Sequence, residues 1–195
     1  MLAHEIIRAL PEEKVIEMIL YVRENEMDSY RAVLFSLAEA RRIRPAFVQK
    51  KHRNEQAKWI HQGLCNKKQA QYAEHFLQIL LMKGHQPMLV DFLDKLEIPH
   101  DGEGGLESFP EELDAAKLKS AADSLLEKYE NDDVALYLNT FQLQIPDGYP
   151  ALTEYIANEP RLQITSSERD PEDLQVKKAP ETKKSEATES KTAAE

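Results

Sequence analysis

Positive charge is concentrated in one stretch of this sequence, residues 41–68, which holds nine Lys and Arg residues and a single acidic residue. The rest of the chain is acidic, with net charges of −4 for residues 1–40, −12 for 69–164 and −2 for 165–195, within a total of −10. Several cations on one protein face can bind phosphate groups or carboxylates. Residues 41–68 are therefore the first candidate for a functional surface.

Some of these cations are explained by local structure alone. Arg41, Arg42 and Arg44 are predicted to occupy the last turn of a helix that Pro45 stops, where positive charge complements the helix dipole. Trp59 lies at helical spacing beside other apolar residues, so we expect it in the core. The remaining cations form the predicted binding set: Lys50, Lys51, Arg53, Lys58, Lys67 and Lys68.

Three interpretations of the predicted binding set are open. In the preferred one, the chain is a non-catalytic interaction or scaffold module, and the set contacts an acidic protein segment or a second copy of the chain. In the second, the set neutralises the phosphates of a nucleic acid, although a net charge of −10 argues against a protein whose whole surface coats nucleic acid. In the third, the cations bind no partner: they are merely solvated, or they pair with the chain's own acids, notably in residues 107–114 and 127–133.

His61 and Cys65 are four positions apart on a predicted helix, so they could share a metal ion or the imidazole could activate the thiol. A zinc site needs about four ligands. The sequence contains one Cys and neither a CxxC nor an HExxH motif. We therefore predict no metal and no cofactor, and we expect Cys65 to be a partly exposed thiol without a chemical role.

His100, Asp101 and Glu103 lie in a glycine-rich loop, residues 100–105, and offer acid, base and cation-binding groups. The loop lacks the register of an EF-hand, and polar residues beside glycines commonly form turns. The sequence also contains no GxSxG motif, no Walker-type loop and no GxGxxG after a strand. The absence of these motifs does not exclude catalysis, so a helical enzyme using this loop is a third functional alternative. The enzyme question stays open at this point, and the sequence favours a protein that is not an enzyme.

Apolar residues recur at helical spacing as far as about residue 164 and predict an all-α fold. We expect about eight helices between residues 2 and 158, packed largely as antiparallel hairpins around one core, in a bundle or a short solenoid-like array. Pro-Glu-Glu opens predicted helices at residues 11–13 and 110–112. This weak repetition could reflect stacked helical hairpins, but we favour the interpretation that a good helix opening is simply used twice. The second opening has the capping-box spacing at residues 108–111.

We predict a single helical domain, residues 1–164, followed by a disordered charged tail, residues 165–195. The tail contains no aromatic residue and is rich in Ser, Thr, Glu, Lys and Ala, a composition that buries too little apolar surface to fold. The longest apolar run, residues 76–82, is far shorter than the roughly 20 residues that span a bilayer. With no secretory signal and one cysteine, we expect a cytoplasmic protein without membrane contact.

Overall fold

The structure is a computed structural model that describes residues 1–145 and 147–164. These residues form ten α-helices and no strand, which confirms the predicted all-α fold. The predicted tail, residues 165–195, lies outside the described residues. The helices are α1 (Ala3–Ala9), α2 (Glu12–Asn25), α3 (Met27–Ala40), α4 (Pro45–Gln49), α5 (Arg53–Leu64), α6 (Ala70–Ile79), α7 (Gln86–Lys95), α8 (Ala115–Lys128), α9 (Asn131–Gln142) and α10 (Pro150–Asn158).

The buried side chains form two hydrophobic clusters. The N-terminal cluster is built mainly by α1, α2, α3, α5 and α6, and includes Ile6, Ile19, Leu37, Ile60 and Phe76. The C-terminal cluster is built mainly by α7, α8, α9 and α10, and includes Phe92, Leu125, Tyr137, Phe141 and Leu152. None of the described helices is long and apolar enough to cross a membrane.

The two clusters meet at α9 and at a π-helical turn, Leu80–Gly84, that follows α6. In α9, Leu136 packs in the N-terminal cluster, whereas Tyr137 packs in the C-terminal cluster. In the π-helical turn, Leu80 and Leu81 belong to the N-terminal and C-terminal clusters respectively. One helix and one turn therefore send adjacent side chains into different halves of the core.

The chain between residues 47 and 64 lies in two helices, α4 and α5, because a buried side chain interrupts the helical backbone. The Nε2 atom of Gln56 donates hydrogen bonds to the carbonyls of Gln49, at 3.1 Å, and Lys51, at 2.7 Å. In a continuous helix those carbonyls would accept backbone N–H groups instead. The chain therefore leaves the helix after Gln49 and re-enters it at Arg53.

The capping box predicted at residues 108–111 is wrong, because α8 begins only at Ala115. Its cap is Asp114, whose carboxylate accepts hydrogen bonds from two N–H groups of the first turn, at 2.8 and 3.0 Å. The carbonyl of Pro110 accepts a hydrogen bond of 3.0 Å from the Tyr149 hydroxyl. This hydrogen bond holds the segment before α8 against the C-terminal cluster. The segment follows an irregular path there.

Candidate partner-binding surface

The basic stretch begins where α3 ends, at Ala40, so the last turn of α3 holds none of the basic residues predicted there. Arg42 adopts a left-handed conformation, with φ of 55°. The N–H of Ile43 donates to the carbonyl of Ala38 at 2.8 Å, a hydrogen bond typical of a helix end with a left-handed residue. The chain then reverses direction, and Pro45 opens α4.

Arg41 is held against Trp59. Its guanidinium carbon lies 4.8 Å from the centre of the indole ring, and Nη1 donates a hydrogen bond of 3.3 Å to the Trp59 carbonyl. Trp59 is partly buried and packs against the N-terminal cluster, in agreement with its predicted core position. Burial lowers the pKa of Arg41 below its usual value. Arg41 thus stabilises the contact between the end of α3 and α5.

Gln56 fixes the connection that carries two cations of the predicted binding set, Lys50 and Lys51. Only 6% of Gln56 is exposed. Its Oε1 atom accepts a hydrogen bond of 2.9 Å from the Tyr30 hydroxyl, while Nε2 donates to the two carbonyls described above. One amide therefore ties α3, α4 and α5 together. Sequence reasoning missed Gln56, because a glutamine in a polar helix carries no local sign of burial.

All six cations of the predicted binding set are exposed. Lys50, Lys67 and Lys68 have no ion pair within 4 Å among the described residues. The other three cations make long ion pairs: Lys51 with Glu55 at 4.0 Å, Arg53 with Glu24 at 3.7 Å, and Lys58 with Glu12 at 3.5 Å. Exposed ion pairs of this kind contribute at most about 1 kcal/mol each to stability.

The acids that reach these cations differ from those that the sequence suggested. Residues 107–114 and 127–133 make no ion pair with the basic stretch within the described part of the chain. Asp133 instead pairs with Lys14 of α2, at 2.6 Å, and Asp114 caps α8. The described pairs of the basic stretch come from α2 and α5, and all are solvent-exposed on at least one side.

Helix α5 divides the predicted binding set into two groups. Its 12 residues span about 18 Å. Three cations lie at or before its first residue, two follow its last residue, and Lys58 lies between them on its exposed face. The structure therefore concentrates one group, Lys50, Lys51 and Arg53, at the junction of α4 and α5, and separates Lys67 and Lys68 from it.

An exposed aromatic side chain lies within the group at the α4–α5 junction. Phe47, in α4, is 66% exposed, more than any other large apolar side chain of the described residues. Lys50 follows it by three positions, a spacing that places both on one side of a helical turn. Phe35 and Ile43 are also exposed, on α3 and on the connection between α3 and α4. At the α4–α5 junction, the exposed ring of Phe47 thus accompanies cationic groups.

His61 and Cys65 are both buried, so the predicted partly exposed thiol is wrong. Cys65 caps the C-terminus of α5, where its N–H donates to the carbonyl of His61 at 3.0 Å and its side chain packs in the N-terminal cluster. The described residues contain no group of three or more His, Cys, Asp or Glu side chains suited to a metal ion.

The loop at residues 100–105 has the geometry of a turn. The Oδ1 atom of Asp101 accepts hydrogen bonds from the N–H groups of Glu103 and Gly105, both at 2.8 Å. These hydrogen bonds lower the pKa of Asp101 below its usual value. His100 Nε2 lies 3.0 Å from Oδ1 of Asp94. The side chains of His100 and Asp101 are therefore engaged in holding the conformation of the loop.

Comparisons with protein-family models, curated protein sequences and solved structures each give no match.

Proposed function

We propose that this protein is a non-catalytic interaction module that binds an acidic segment of a partner protein at the α4–α5 junction. The observation that carries the proposal is the exposure of Phe47, two-thirds open to solvent, one helical turn from Lys50, a cation without an ion pair among the described residues. An aromatic anchor surrounded by polar and charged groups is a common composition for protein-binding sites.

The chemistry of this surface favours a partner segment that carries carboxylates and at least one apolar side chain. Arg53 and Lys58 form only long, exposed ion pairs within the chain, at 3.7 and 3.5 Å. Both cations can therefore also attract carboxylates of the partner. Complementary charge raises the association rate and selects the orientation of the bound segment. An apolar side chain of the partner would cover Phe47 and remove its ring from water.

The fixed shape of the α4–α5 junction also supports this role. The buried amide of Gln56 holds the carbonyls on both sides of Lys50, so the connection needs little ordering when a partner binds. Binding to a preorganised surface loses less conformational entropy than binding to a mobile one.

Fluorescence anisotropy with a fluorescein-labelled peptide in which Glu alternates with Leu tests the proposal. The combined reversal Lys50→Glu, Lys51→Glu and Lys58→Glu is expected to weaken binding by about tenfold or more, because it replaces attraction with repulsion. Phe47→Ala is expected to weaken binding by several-fold with little effect on its salt dependence, because it removes apolar contact and leaves the charge unchanged.

A matched control is the combined reversal Lys83→Glu, Lys95→Glu and Lys119→Glu, which changes the net charge equally at exposed positions elsewhere. Equal binding by the two triple variants contradicts the proposal. Salt-sensitive binding of a single-stranded oligonucleotide that only the first triple variant loses, without peptide binding, would favour the nucleic-acid interpretation instead.

A further inference from the structure

A cleft of about 710 Å³ opens where the N-terminus, α6, α9 and α10 come together. Its lining is mainly apolar and lies on the boundary between the two clusters. Leu143 packs against the N-terminal cluster, Ile145 and Ile156 pack against the C-terminal cluster, and Ile164 packs against both. Leu2, also in the lining, is 52% exposed. A cleft of this size can hold several side chains of a bound segment.

The chain beyond the described residues starts from this cleft, because Ile164 is part of its wall. Among residues 165–195, Leu174 and Val176 are the only ones with large apolar side chains. Leu174 follows Ile164 by ten positions, which reach up to about 35 Å when fully extended. This length allows residues 174–178 to return to the cleft.

The charges on the two sides are complementary. The wall of the cleft carries Glu74 and Asp147, both exposed, and its net charge stays negative when the α-amino group of Met1 is included. The two apolar residues of the tail are followed directly by Lys177 and Lys178, so residues 174–178 carry a net charge of +2, while the acidic Glu172 and Asp173 precede this segment. One short segment therefore offers the apolar groups and the charge that the cleft would accept.

We propose that residues 174–178 dock in the cleft of their own chain, with Leu174 and Val176 against the apolar wall and the two lysines near Glu74 and Asp147. A short tether gives an effective concentration in the millimolar range, so a segment with an intrinsic Kd of about 0.1 mM is bound about 90% of the time. The docked segment bridges the two clusters. The lining of this cleft includes none of the predicted binding set, so the proposal stands apart from the proposed function.

Methyl NMR of the full chain tests the proposal without altering the described fold, because the substitutions fall outside residues 1–164. Leu174→Asp combined with Val176→Asp is expected to shift the methyl resonances of Leu143, Ile145 and Ile156. Ala187→Asp combined with Ala193→Asp adds the same charge to the same tail and is expected to leave them unchanged. Identical spectra for wild type and both variants overturn the proposal.

Disulfide trapping separates docking within a chain from docking between chains. Val176→Cys with Ile156→Cys is expected to form a disulfide within the monomer at high dilution, whereas Ala193→Cys with Ile156→Cys is expected to form it at least several-fold more slowly. The buried thiol of Cys65 is not expected to compete. Equal rates for the two pairs, or a disulfide that forms only between chains, overturn the proposal.

Discussion

Tyr137 and Tyr149 both stack on the ring of Phe141, with ring centroids 6.1 and 6.0 Å away, but their hydroxyl groups differ. The Tyr149 hydroxyl donates a hydrogen bond of 3.0 Å to the carbonyl of Pro110. The Tyr137 hydroxyl is buried and has no hydrogen-bond partner among the described residues. A buried polar group without a partner costs about 1–3 kcal/mol. The two hydroxyls are therefore expected to affect stability with opposite signs.

Removing each hydroxyl tests this difference. Tyr137→Phe is expected to raise the free energy of unfolding by about 1 kcal/mol, because it removes an unsatisfied group from the core. Tyr149→Phe is expected to lower it by about 1 kcal/mol, because the Pro110 carbonyl loses its donor. Urea unfolding followed by circular dichroism measures both values. Destabilisation of similar size in both variants would show that the Tyr137 hydroxyl has a partner.

Alkaline pH is expected to destabilise the fold through the same two tyrosines. Burial raises the pKa of Tyr149 to about 12 and raises the pKa of Tyr137 well above its usual value. Since the pKa in the unfolded chain is about 10, the stabilising contribution is complete below pH 10 and decreases as the pH rises from about 10 to about 12. Unfolding free energies measured across this range should decline less steeply in Tyr149→Phe than in wild type. If the free energy of unfolding fell equally steeply with pH in wild type and in Tyr149→Phe, the raised pKa of Tyr149 would be contradicted.

Arg42 and Glu97 both end a helix in the left-handed conformation, with φ of 55° and 56°. Glycine adopts this conformation without the steric cost that a Cβ atom brings. Arg42→Gly is therefore expected to raise the free energy of unfolding by about 0.5–1 kcal/mol. The gain for Glu97→Gly should be smaller, because that variant also loses the ion pair with Lys117.

A nearby arginine provides the control for the left-handed position. Arg44 has φ of −67°, so Arg44→Gly is expected to lower the free energy of unfolding by increasing the entropy of the unfolded chain. Thermal or urea unfolding of both glycine variants gives the comparison. Equal destabilisation by the two variants would contradict a strained backbone at Arg42.

Gln56→Ala is expected to lower the free energy of unfolding by about 2–3 kcal/mol, because it leaves the Tyr30 hydroxyl and two carbonyls without their partner. Amide hydrogen exchange at Lys50 and Lys51 should also accelerate, because the α4–α5 junction loses its anchor. Gln62→Ala, at an exposed position of the same helix, is expected to change stability by no more than about 0.5 kcal/mol. Unchanged exchange at the two lysines in Gln56→Ala would exclude a positioning role for Gln56.

The helical fold could be predicted because the apolar face of a helix is encoded locally. In α3, the residues with i, i+3, i+4, i+7 spacing are all buried: Tyr30, Val33, Leu34, Leu37 and Ala38. The errors arose where a side-chain hydrogen bond decides the backbone path. Tyr149, the residue before α10, holds the carbonyl of Pro110, and the buried Gln56 interrupts the helix before it. No sequence pattern predicts either of these two hydrogen bonds.

The candidate surface was predictable only in part. The sequence left open whether the six cations are exposed or paired with the chain's own acids, and in the structure all six are exposed. The stacking of Arg41 on Trp59 depends on how the helices pack, which spacing along the chain does not encode. The exposure of Phe47 was missed for the same reason, since an aromatic residue in a helical pattern usually belongs to the core.

Leu136 packs in the N-terminal cluster although α9 otherwise builds the C-terminal cluster. Residues 96–114 connect α7 to α8 and contain no described helix. Cleavage by a protease in this connection would therefore leave every described helix intact. The C-terminal fragment would then carry a side chain that completes the interior of the N-terminal fragment. We expect the two fragments to reassociate after cleavage and neither to regain its full structure alone.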